Sequence, residues 1–279
     1  MKTSETTSDA SQLAPTSQDK TRGSAELSAE LLARRFRAVR SISARLCQTL
    51  TPEDCAAQSM PDASPAKWHL AHVTWFFETF LLRDHVPGYA PHDDRYAYLF
   101  NSYYEAEGAR HARPRRGMLT RPSLEEILEW RAAVDEAIMA HLGELPADLV
   151  TLGLHHEQQH QELLLTDILH LFSQNPLAPA LWPTSPRAAS STPDMHWITG
   201  CDGVVSLGHS GSGFAFDCEG PRHETLLHPH KLANRTVSNR EWKDFIDDGG
   251  YRTPALWLSD GWAWVQAEGI EAPLYWRRE

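Results

Sequence analysis

The segment ADLVTLGLHHEQQHQELLLTDILHLFSQ constrains the fold of this chain more than any other stretch. Pro146 precedes it, Asn175 and Pro176 follow it, and residues of this kind mark the start and the stop of one long helix. His156 and His160 lie four residues apart within it, so a helix places both rings on one face, about 6 Å apart at Cβ. Two imidazoles in this arrangement suit a single metal ion. The fold must therefore bring another element against this helix to complete a metal site.

Three further segments carry the apolar periodicity of amphipathic helices. Apolar residues three and four apart in SAELSAELLARRFRAVRSISARLCQTL predict the first helix. Ser64 and Pro65 place an N-cap and a first-turn proline before AKWHLAHVTWFFETFLLRD, the second helix. Ser123 and Glu126 form a capping box for the third helix, which ends near residue 143. Four amphipathic helices predict a helical bundle whose ligands project into the core from facing helices.

The composition divides the chain into four regions. Residues 1–24 are polar and are expected to form a disordered tail, and residues 25–174 carry the bundle. Residues 175–193 are rich in Pro, Ala and Ser, which is typical of a linker. Residues 194–279 contain the strand-like pieces HWITG, GVVSLGH and ETLLHPHKLA, and then a helix that begins with a capping box at Ser238. The predicted fold class is therefore α, followed by a small and irregular α+β unit.

Composition and charge exclude several classes of protein. No apolar run approaches the roughly 20 residues that cross a bilayer, and the polar start of the chain lacks the apolar region of a signal peptide. The cysteines, Cys47, Cys55, Cys201 and Cys218, show no CxxC spacing, which predicts neither a disulfide framework nor a cysteine-rich zinc site. The net charge of −11 opposes binding to a phosphate backbone. We expect a cytoplasmic protein with neither a membrane nor a nucleic acid as its partner.

The third metal ligand has two candidates in the second helix, His69 and His72, and spacing alone does not choose between them. Three imidazoles would leave positions open on the ion, as in reactive rather than structural sites. Imidazole suits zinc, iron, nickel and copper alike, so the ligands leave the metal undetermined. Glu157 follows His156 directly, so HEQQH also satisfies the HExxH pattern of zinc proteases, in which the glutamate is the general base. Glu162 is the carboxylate expected to accept a hydrogen bond from a histidine ligand, at the ring nitrogen that does not bind the metal.

Two features near the histidines indicate substrate contacts. Gln159 either points at a bound substrate or lies on a solvated helix face. The loop between the second and third helices is rich in arginine, and it is either solvated or a clamp that holds a carboxylate through bidentate guanidinium contacts. The arginines of this loop are Arg110, Arg113, Arg115, Arg116 and Arg121. We predict Gln159, Arg113 and Arg116 as substrate-binding residues.

Several strings occur in order along both halves of the chain: LAHVTWFFETFLL, LFNSYYEA, HHEQQHQELLLTDILH, SGFAFDCEGPRH and NREWKDFIDDGGYRTPALWLSDGW. With these strings, the chain resembles the ergothioneine-biosynthetic sulfoxide synthases from about residue 28 to the end. In that family a DinB-like four-helix bundle precedes a formylglycine-generating-enzyme-like (sulfatase-modifying-factor, C-type-lectin-like) domain. The resemblance implies the same two folds here, with the second domain incomplete.

The resemblance also implies a cofactor and a reaction. The family's three-histidine iron site falls on His72, His156 and His160. This match selects His72 over His69, and Gln159 matches a glutamine that helps to seat the substrate imidazole. The implied protein is a mononuclear non-haem Fe(II) enzyme that uses O2 to join a thiol, either cysteine or γ-glutamylcysteine, to C2 of hercynine as a sulfoxide. A thiolate and an imidazole both bind Fe(II), and the metal would hold them close enough to react.

One departure from the family concerns the end of the chain. The family's catalytic tyrosine and part of its thiol pocket lie beyond Glu279, and no residue here matches them, so we predict no catalytic residue. We expect a truncated and impaired enzyme, a fragment, or one part of a split enzyme whose second polypeptide supplies the C-terminal half. Cys218 stands where relatives often carry Asn. Two other interpretations stay open: a catalytically silent metal-binding remnant and a DinB-like metal-dependent thiol transferase.

Overall fold

The computed structural model describes residues 17–183 and 192–277 of the chain. The chain divides into two compact units between Pro183 and Thr184. This division lies inside the segment 175–193, whose composition predicts a linker. In the described residues, the long helices belong to the first unit and the strands to the second.

The first unit is helical, and four long helices form the bundle that the apolar periodicity predicts. Its α-helices in the described residues are α1 (Ser17–Leu46), α2 (Pro52–Ala56), α3 (Ala66–Phe77), α4 (Tyr96–Phe100), α5 (Leu124–His141) and α6 (Ala147–Ser173). A π-helical segment, Glu78–Arg83, continues α3, and 3-10 turns cover Glu105–Glu107 and Arg113–Met118 in the loop before α5. α3 contacts both α5 and α6, and the core between the long helices includes Phe36, Trp75, Phe77 and Trp130.

Local signals fix where the bundle helices begin, with one exception. The predicted capping box is present at the start of α5, where the hydroxyl of Ser123 accepts from the amide of Glu126 at 3.2 Å. The predicted N-cap of α3 at Ser64 is wrong, because Pro65 takes that position and no side chain caps the helix. The hydroxyl of Ser64 instead accepts a hydrogen bond from the buried Arg116 at 2.9 Å. The Ser64 hydroxyl is therefore used in a tertiary contact with Arg116 and does not cap the helix.

The bounds of α6 agree with the prediction, whereas the start of α1 differs from it. α6 begins directly after Pro146 and ends before Asn175, as predicted. α1 begins at Ser17, so residues 17–24 are helical rather than part of a disordered tail. These residues contain no proline and a single glycine, so a helix that is already nucleated can continue through them. The rest of the predicted tail, residues 1–16, lies outside the described residues.

Close packing between α3 and α6 depends on Gly153. A methyl group at this position would lie 2.8 Å from Cε1 of Phe77 and 3.0 Å from Cε1 of Phe76, which is too close for ordinary contact. Phe77 in turn packs edge-to-face against Phe36 of α1, with ring centroids 5.3 Å apart. Gly153 lies one turn before His156 on α6. The absence of its side chain therefore lets the two helices approach beside the paired histidines.

The second unit contains short strands in two antiparallel pairs. Its strands in the described residues are β1 (Trp197–Thr199), β2 (Gly203–Leu207), β3 (His223–Leu227) and β4 (Lys231–Ala233). β1 pairs with β4, with Ile198 opposite Leu232, and β2 pairs with β3, with Val205 opposite Thr225. The predicted strand pieces contain or overlap these strands, since short apolar runs bounded by glycine mark them.

Two helices follow the strands of the second unit. α7 (Asn239–Asp247) begins with the predicted capping box, in which the carboxylate of Glu241 accepts from the amide of Ser238 at 2.8 Å. α8 (Ser259–Glu268) follows after two 3-10 turns. The strand pairs and these helices agree with the predicted α+β character. A formylglycine-generating-enzyme-like fold for this unit stays a prediction.

Two observations bear on the expectations drawn from composition. No helix in the described part of the chain combines the length and the apolar character that crossing a membrane requires. The cysteines are free: Cys47 and Cys55 are buried in the first unit, whereas Cys201 and Cys218 are exposed in the second.

Candidate metal centre

Three histidine side chains converge where α3 lies against α6. His72 comes from α3, and His156 and His160 come from consecutive turns of α6. One nitrogen of each ring lies within 4.8 Å of the other two. Nε2 of His72 is 3.2 Å from Nε2 of His156. Among the described residues, no other group of three or more potential ligands converges in this way.

His72 is held so that one nitrogen is free to bind an ion. Its Nδ1–H donates to the backbone carbonyl of Phe100 at 2.5 Å, so Nε2 carries the lone pair that faces the other histidines. The ring stacks on Trp68, with centroids 4.7 Å apart and planes 11° apart, and on Trp75 at 5.7 Å. Only 2% of His72 is exposed. Hydrogen bonding and stacking together fix the orientation of this ring.

His156 has a buried polar atom without a partner. Its Nδ1 has no hydrogen-bond partner among the described residues, and its ring lies 4.8 Å from the ring of Phe76. Unpartnered buried polar atoms are few in folded proteins. The unpartnered atom is Nδ1, and Nε2 is the nitrogen that faces His72.

All three rings are held neutral, which is the form of imidazole that binds a metal ion. Burial lowers the pKa of His72 well below its ordinary value. Burial also lowers the pKa of His156 to about 4. The pKa of His160 is lowered by burial and by the neighbouring imidazoles of His72 and His69. Each ring can therefore bind an ion at neutral pH without first losing a proton.

The distance between His72 and His156 fits two ligands of one metal ion. For metal–nitrogen bonds of about 2.1 Å, two ligands at angles of about 90° to 110° have their nitrogens roughly 3.0–3.4 Å apart. The 3.2 Å between His72 and His156 lies in this range, and the other separations in the group are no longer than 4.8 Å. Three protein ligands leave positions open for exogenous molecules. This donor set suits iron, zinc, nickel and copper alike.

His69 lies beside the three histidines, but both of its nitrogens are engaged elsewhere. Nδ1 is 2.9 Å from Nδ1 of His160, and Nε2 is 2.9 Å from Oδ2 of Asp167. His72, whose Nε2 faces His156, is the ring of α3 that completes the group. The structure thus brings together the three histidines predicted as ligands and leaves His69 outside them.

The three rings line a cavity of about 420 Å³. Gln159, Arg113 and Arg116, the predicted substrate-binding residues, line the same cavity. The other arginines of the loop are exposed and lie outside it: Arg110, Arg115 and Arg121. The arginine-rich loop is therefore divided between a part that lines the cavity and a part that is solvated.

Arg116 is a buried cation on the cavity wall, with 3% of its surface exposed. It donates to the hydroxyls of Ser64 at 2.9 Å and Ser102 at 3.1 Å, and its guanidinium carbon lies 3.3 Å from the ring centroid of Trp68. Burial and the charge of Arg113 lower its pKa to about 9, so it remains charged at neutral pH. Its Nε has no partner among the described residues. Such a guanidinium is suited to bind an anion.

Glu157, the acid of the HEQQH string, is committed to buried ion pairs and does not line the cavity. Its carboxylate accepts hydrogen bonds from Arg40 at 3.0 Å and from Ser43 at 2.5 Å. It also pairs with Arg131. Burial alone would raise the pKa of this carboxyl, but the charges of Arg131 and Arg40 outweigh burial and lower the pKa to about 2. Glu157 therefore joins α6 to α1 and α5, and it is not placed as the general base of a zinc protease.

The carboxylate connected to the histidine group is Asp167, through His69, and Glu162 is not connected to it in this way. Glu162 is exposed and lies outside the cavity. Asp167 accepts from Nε2 of His69 and, at 2.8 Å, from the backbone amide of Ser64. It follows His160 by seven residues, which is close to two helical turns, so both lie on one face of α6. Helical spacing could have identified this residue, whereas Glu162 follows His160 by only two positions and points elsewhere.

The first unit is a helical bundle whose histidines converge in a cavity, and it contains a DinB-like domain. Residues 35–173 match the family model described as the DinB superfamily. The DinB-like fold expected for the bundle is thereby confirmed.

The chain is also similar to hercynine oxygenases from three species. It is 32% identical over 233 residues to the hercynine oxygenase of Mycolicibacterium smegmatis, a match that covers 78% of this chain and 51% of the relative. For Mycolicibacterium thermoresistibile the identity is 30% over 261 residues, covering 90% and 55%. For Mycobacterium tuberculosis it is 31% over 254 residues, covering 90% and 58%. The chain is a homologue of the hercynine oxygenases, as its motifs predict, and it spans about half the length of these relatives.

Proposed function

We propose that this protein acts in ergothioneine biosynthesis as a non-haem Fe(II)- and O2-dependent sulfoxide synthase that joins a thiol to hercynine. The observation that carries the proposal is the group of three neutral histidines, within 4.8 Å of one another, in a homologue of hercynine oxygenases. Iron, O2 and both substrates belong to the proposal, because the chain spans about half of those relatives. The thiol is cysteine or γ-glutamylcysteine.

His72, His156 and His160 are the residues that would hold the iron. When bound there, Fe(II) supplies a redox-active centre with open positions for O2, a thiol sulfur and an imidazole. The chain prepares this centre by burial, which keeps the rings neutral, and by the Phe100 carbonyl, which fixes the Nε2 lone pair of His72. These features support a site whose histidine rings bind the metal without gaining, losing or moving a proton.

The overall reaction balances without a further co-reactant. The C2–H bond of hercynine and the S–H bond of the thiol are broken, and a C–S bond and an S–O bond are formed. O2 accepts the electrons that these changes release, with one oxygen atom entering the sulfoxide and the other leaving as water. The task of the protein is therefore to hold two small polar substrates side by side.

The polar residues of the cavity are suited to these substrates. Both substrates carry carboxylates, which guanidinium groups bind through paired hydrogen bonds. Arg113 donates to the hydroxyl of Tyr103 at 2.6 Å, and Arg116 is held against Trp68. The amide of Gln159 offers a donor and an acceptor to the nitrogens of an imidazole. We assign Gln159 to hercynine and the two arginines to substrate carboxylates.

Other interpretations of the site predict different behaviour. A DinB-like thiol transferase would consume thiol in the presence of metal without using O2. A catalytically silent remnant would bind hercynine without forming product. A zinc protease is disfavoured, because the ion pairs of Glu157 with Arg40 and Arg131 leave no free general base next to His156.

Reconstitution without oxygen tests the proposal. The full chain is loaded with Fe(II) and mixed with hercynine and either cysteine or γ-glutamylcysteine. O2 is then admitted, its uptake is recorded with an electrode, and products are identified by mass spectrometry. We expect O2 uptake matched by formation of the sulfoxide. Thiol transfer without O2 uptake, or hercynine binding without product, would overturn the proposal in favour of the transferase or the silent protein.

Matched variants of the arginine-rich loop test the substrate assignment. Arg113→Ala is expected to raise the KM for a substrate about 10- to 100-fold, because it removes a charge-assisted hydrogen bond worth about 1.5–3 kcal/mol. Arg115→Ala is the control, since Arg115 is exposed in the same 3-10 turn and lies outside the cavity. Equal KM values for the two variants would contradict the assignment.

A further inference from the structure

A chain of hydrogen-bonded side chains runs behind His160. Oδ2 of Asp167 is 2.9 Å from Nε2 of His69, and Nδ1 of His69 is 2.9 Å from Nδ1 of His160. The rings of His69 and His160 have centroids 5.1 Å apart and are tilted by 58°, so they meet through their nitrogens rather than by stacking. His69 is 4% exposed. Although it is not placed as a ligand, His69 thus contacts a ligand directly.

The hydrogen atoms of this chain can be placed in one way when the rings are neutral. A carboxylate only accepts, so Nε2 of His69 donates to Asp167. A neutral imidazole carries one N–H, so Nδ1 of His69 accepts and Nδ1 of His160 donates to it. Nε2 of His160 is left with a lone pair. That nitrogen is the one available to a metal ion.

We propose that Asp167 and His69 form a relay that sets the tautomer and the orientation of His160 and thereby the metal affinity of the centre. Both are positioning residues that act through His160. The inference rests on the metal centre of the proposed function and extends it to two residues that the reaction itself does not require.

The physical basis is the support that a hydrogen-bonded carboxylate gives to a metal-binding imidazole. Such a partner increases the basicity of the ring and limits its rotation. Here an additional imidazole lies between the carboxylate and the ligand, so the charge of Asp167 polarises His160 through two hydrogen bonds in series. Asp167 also accepts from the amide of Ser64, just before α3. The relay therefore ties the ligand on α6 to the start of the helix that carries His69 and His72.

The three histidines differ in the hydrogen-bond partner of the ring nitrogen that does not face the metal position. His72 donates to the backbone carbonyl of Phe100, and Nδ1 of His156 has no partner among the described residues. His160 is the ligand whose support ends on a charged group. Loss of that support is expected to weaken metal binding while leaving the two other rings in place.

Histidine tautomers in the metal-free full chain test the relay directly. With 15N-labelled histidine, two-bond nitrogen–proton correlations distinguish a ring protonated at Nδ1 from one protonated at Nε2. We expect His160 to be protonated at Nδ1 and His69 at Nε2. His160 protonated at Nε2 would overturn the relay. Because the measurement uses no metal, its failure is distinguishable from failure of the metal centre.

Metal affinity tests the consequence, with Co(II) as the probe. In His69→Phe and Asp167→Ala we expect the Kd for Co(II) to rise about 10- to 100-fold. The double variant should bind no more weakly than the weaker single variant, because residues in series are not additive. Asp167→Asn keeps an acceptor for His69 but removes the charge, so its Kd should lie between that of the unaltered chain and that of Asp167→Ala. Glu162→Gln, an exposed carboxylate on the same helix, is the matched control and should leave the Kd unchanged.

Each outcome decides the proposal. Unchanged Co(II) affinity in both single variants, or additive losses in the double variant, would overturn the relay. If His69→Phe does not fold, the relay is still tested by two measurements. These are the Co(II) affinities of Asp167→Asn and Asp167→Ala, and the histidine tautomers of the unaltered chain. If the unaltered chain binds no Co(II), the metal centre itself fails, and with it the role of the relay in metal affinity.

Discussion

Replacing Glu157 with glutamine is expected to destabilise the first unit by about 3 kcal/mol. The carboxylate lies between the guanidinium groups of Arg40 and Arg131, and the hydroxyl of Ser43 donates to it as well. Glu157→Gln keeps the size of the side chain but removes the ion pair of the buried Arg131, whereas Arg40 loses one of its two ion pairs and keeps the one with Asp135. Breaking a buried pair in this way costs about 3–5 kcal/mol. The fall in the pKa of Glu157 from 4.5 to about 2 gives a similar figure, roughly 3 kcal/mol at about 1.4 kcal/mol per pKa unit.

Urea denaturation followed by tryptophan fluorescence measures this change, because Trp75 and Trp130 are fully buried in the first unit. The pKa of Glu157 is lower in the folded state than in the unfolded one, so the stabilisation is present above a pH of about 4.5 and is lost as the pH falls towards 2. The difference between the unaltered chain and Glu157→Gln should therefore be complete at neutral pH and should shrink in acid.

Glu162→Gln is the matched control for this measurement. Glu162 is exposed on the same helix, and its substitution is expected to change the free energy of unfolding by less than about 0.5 kcal/mol. A loss below about 1 kcal/mol for Glu157→Gln, or a loss that does not shrink in acid, would refute the view that buried ion pairs join α6 to α1 and α5.

Three further substitutions test other features of the first unit. Gly153→Ala brings a methyl group 2.8 Å from a phenylalanine ring of α3 and should destabilise the unit by about 1–3 kcal/mol in the same assay. Gly143→Ala, with open space around it, is its control, and equal losses would contradict the close helix approach. His72→Ala should lower Co(II) occupancy as strongly as His160→Ala, and full occupancy would remove His72 from the ligand set. Lys67→Met removes an ammonium that donates to two carbonyls of the arginine-rich loop at 2.8 Å, so amide hydrogen exchange in that loop should accelerate; unchanged exchange would show that Lys67 does not hold it.

The parts of the fold that depend on local signals could be predicted from the sequence. The capping boxes at Ser123 and Ser238 are made within four residues, so their patterns predict the helix starts correctly. The N-cap expected at Ser64 failed because Arg116, 52 residues away, takes its hydroxyl. A contact between residues so distant in sequence leaves no local pattern.

The same distinction applies to the candidate site. The spacing of His156 and His160 places two candidate ligands on one helical face, but His69 and His72 lie within one turn of α3 and have the same chemistry. What separates them is the engagement of His69 by Asp167, a contact across 98 positions of the chain. The HExxH pattern likewise does not reveal that Arg40 and Arg131, which are distant in sequence, form ion pairs with Glu157.

The stack of Arg116, Trp68 and His72 links two properties of this cavity. The guanidinium lies 3.3 Å from the centroid of the indole, and the indole lies 4.7 Å from the imidazole, centroid to centroid. The indole N–H donates to the carbonyl of Leu99 at 3.1 Å, so the middle of the stack is anchored to the backbone. A substitution at Arg116 would remove packing from the indole of Trp68, the ring on which His72 stacks. The charge that the cavity wall presents and the orientation of His72 are therefore carried by one column of stacked side chains.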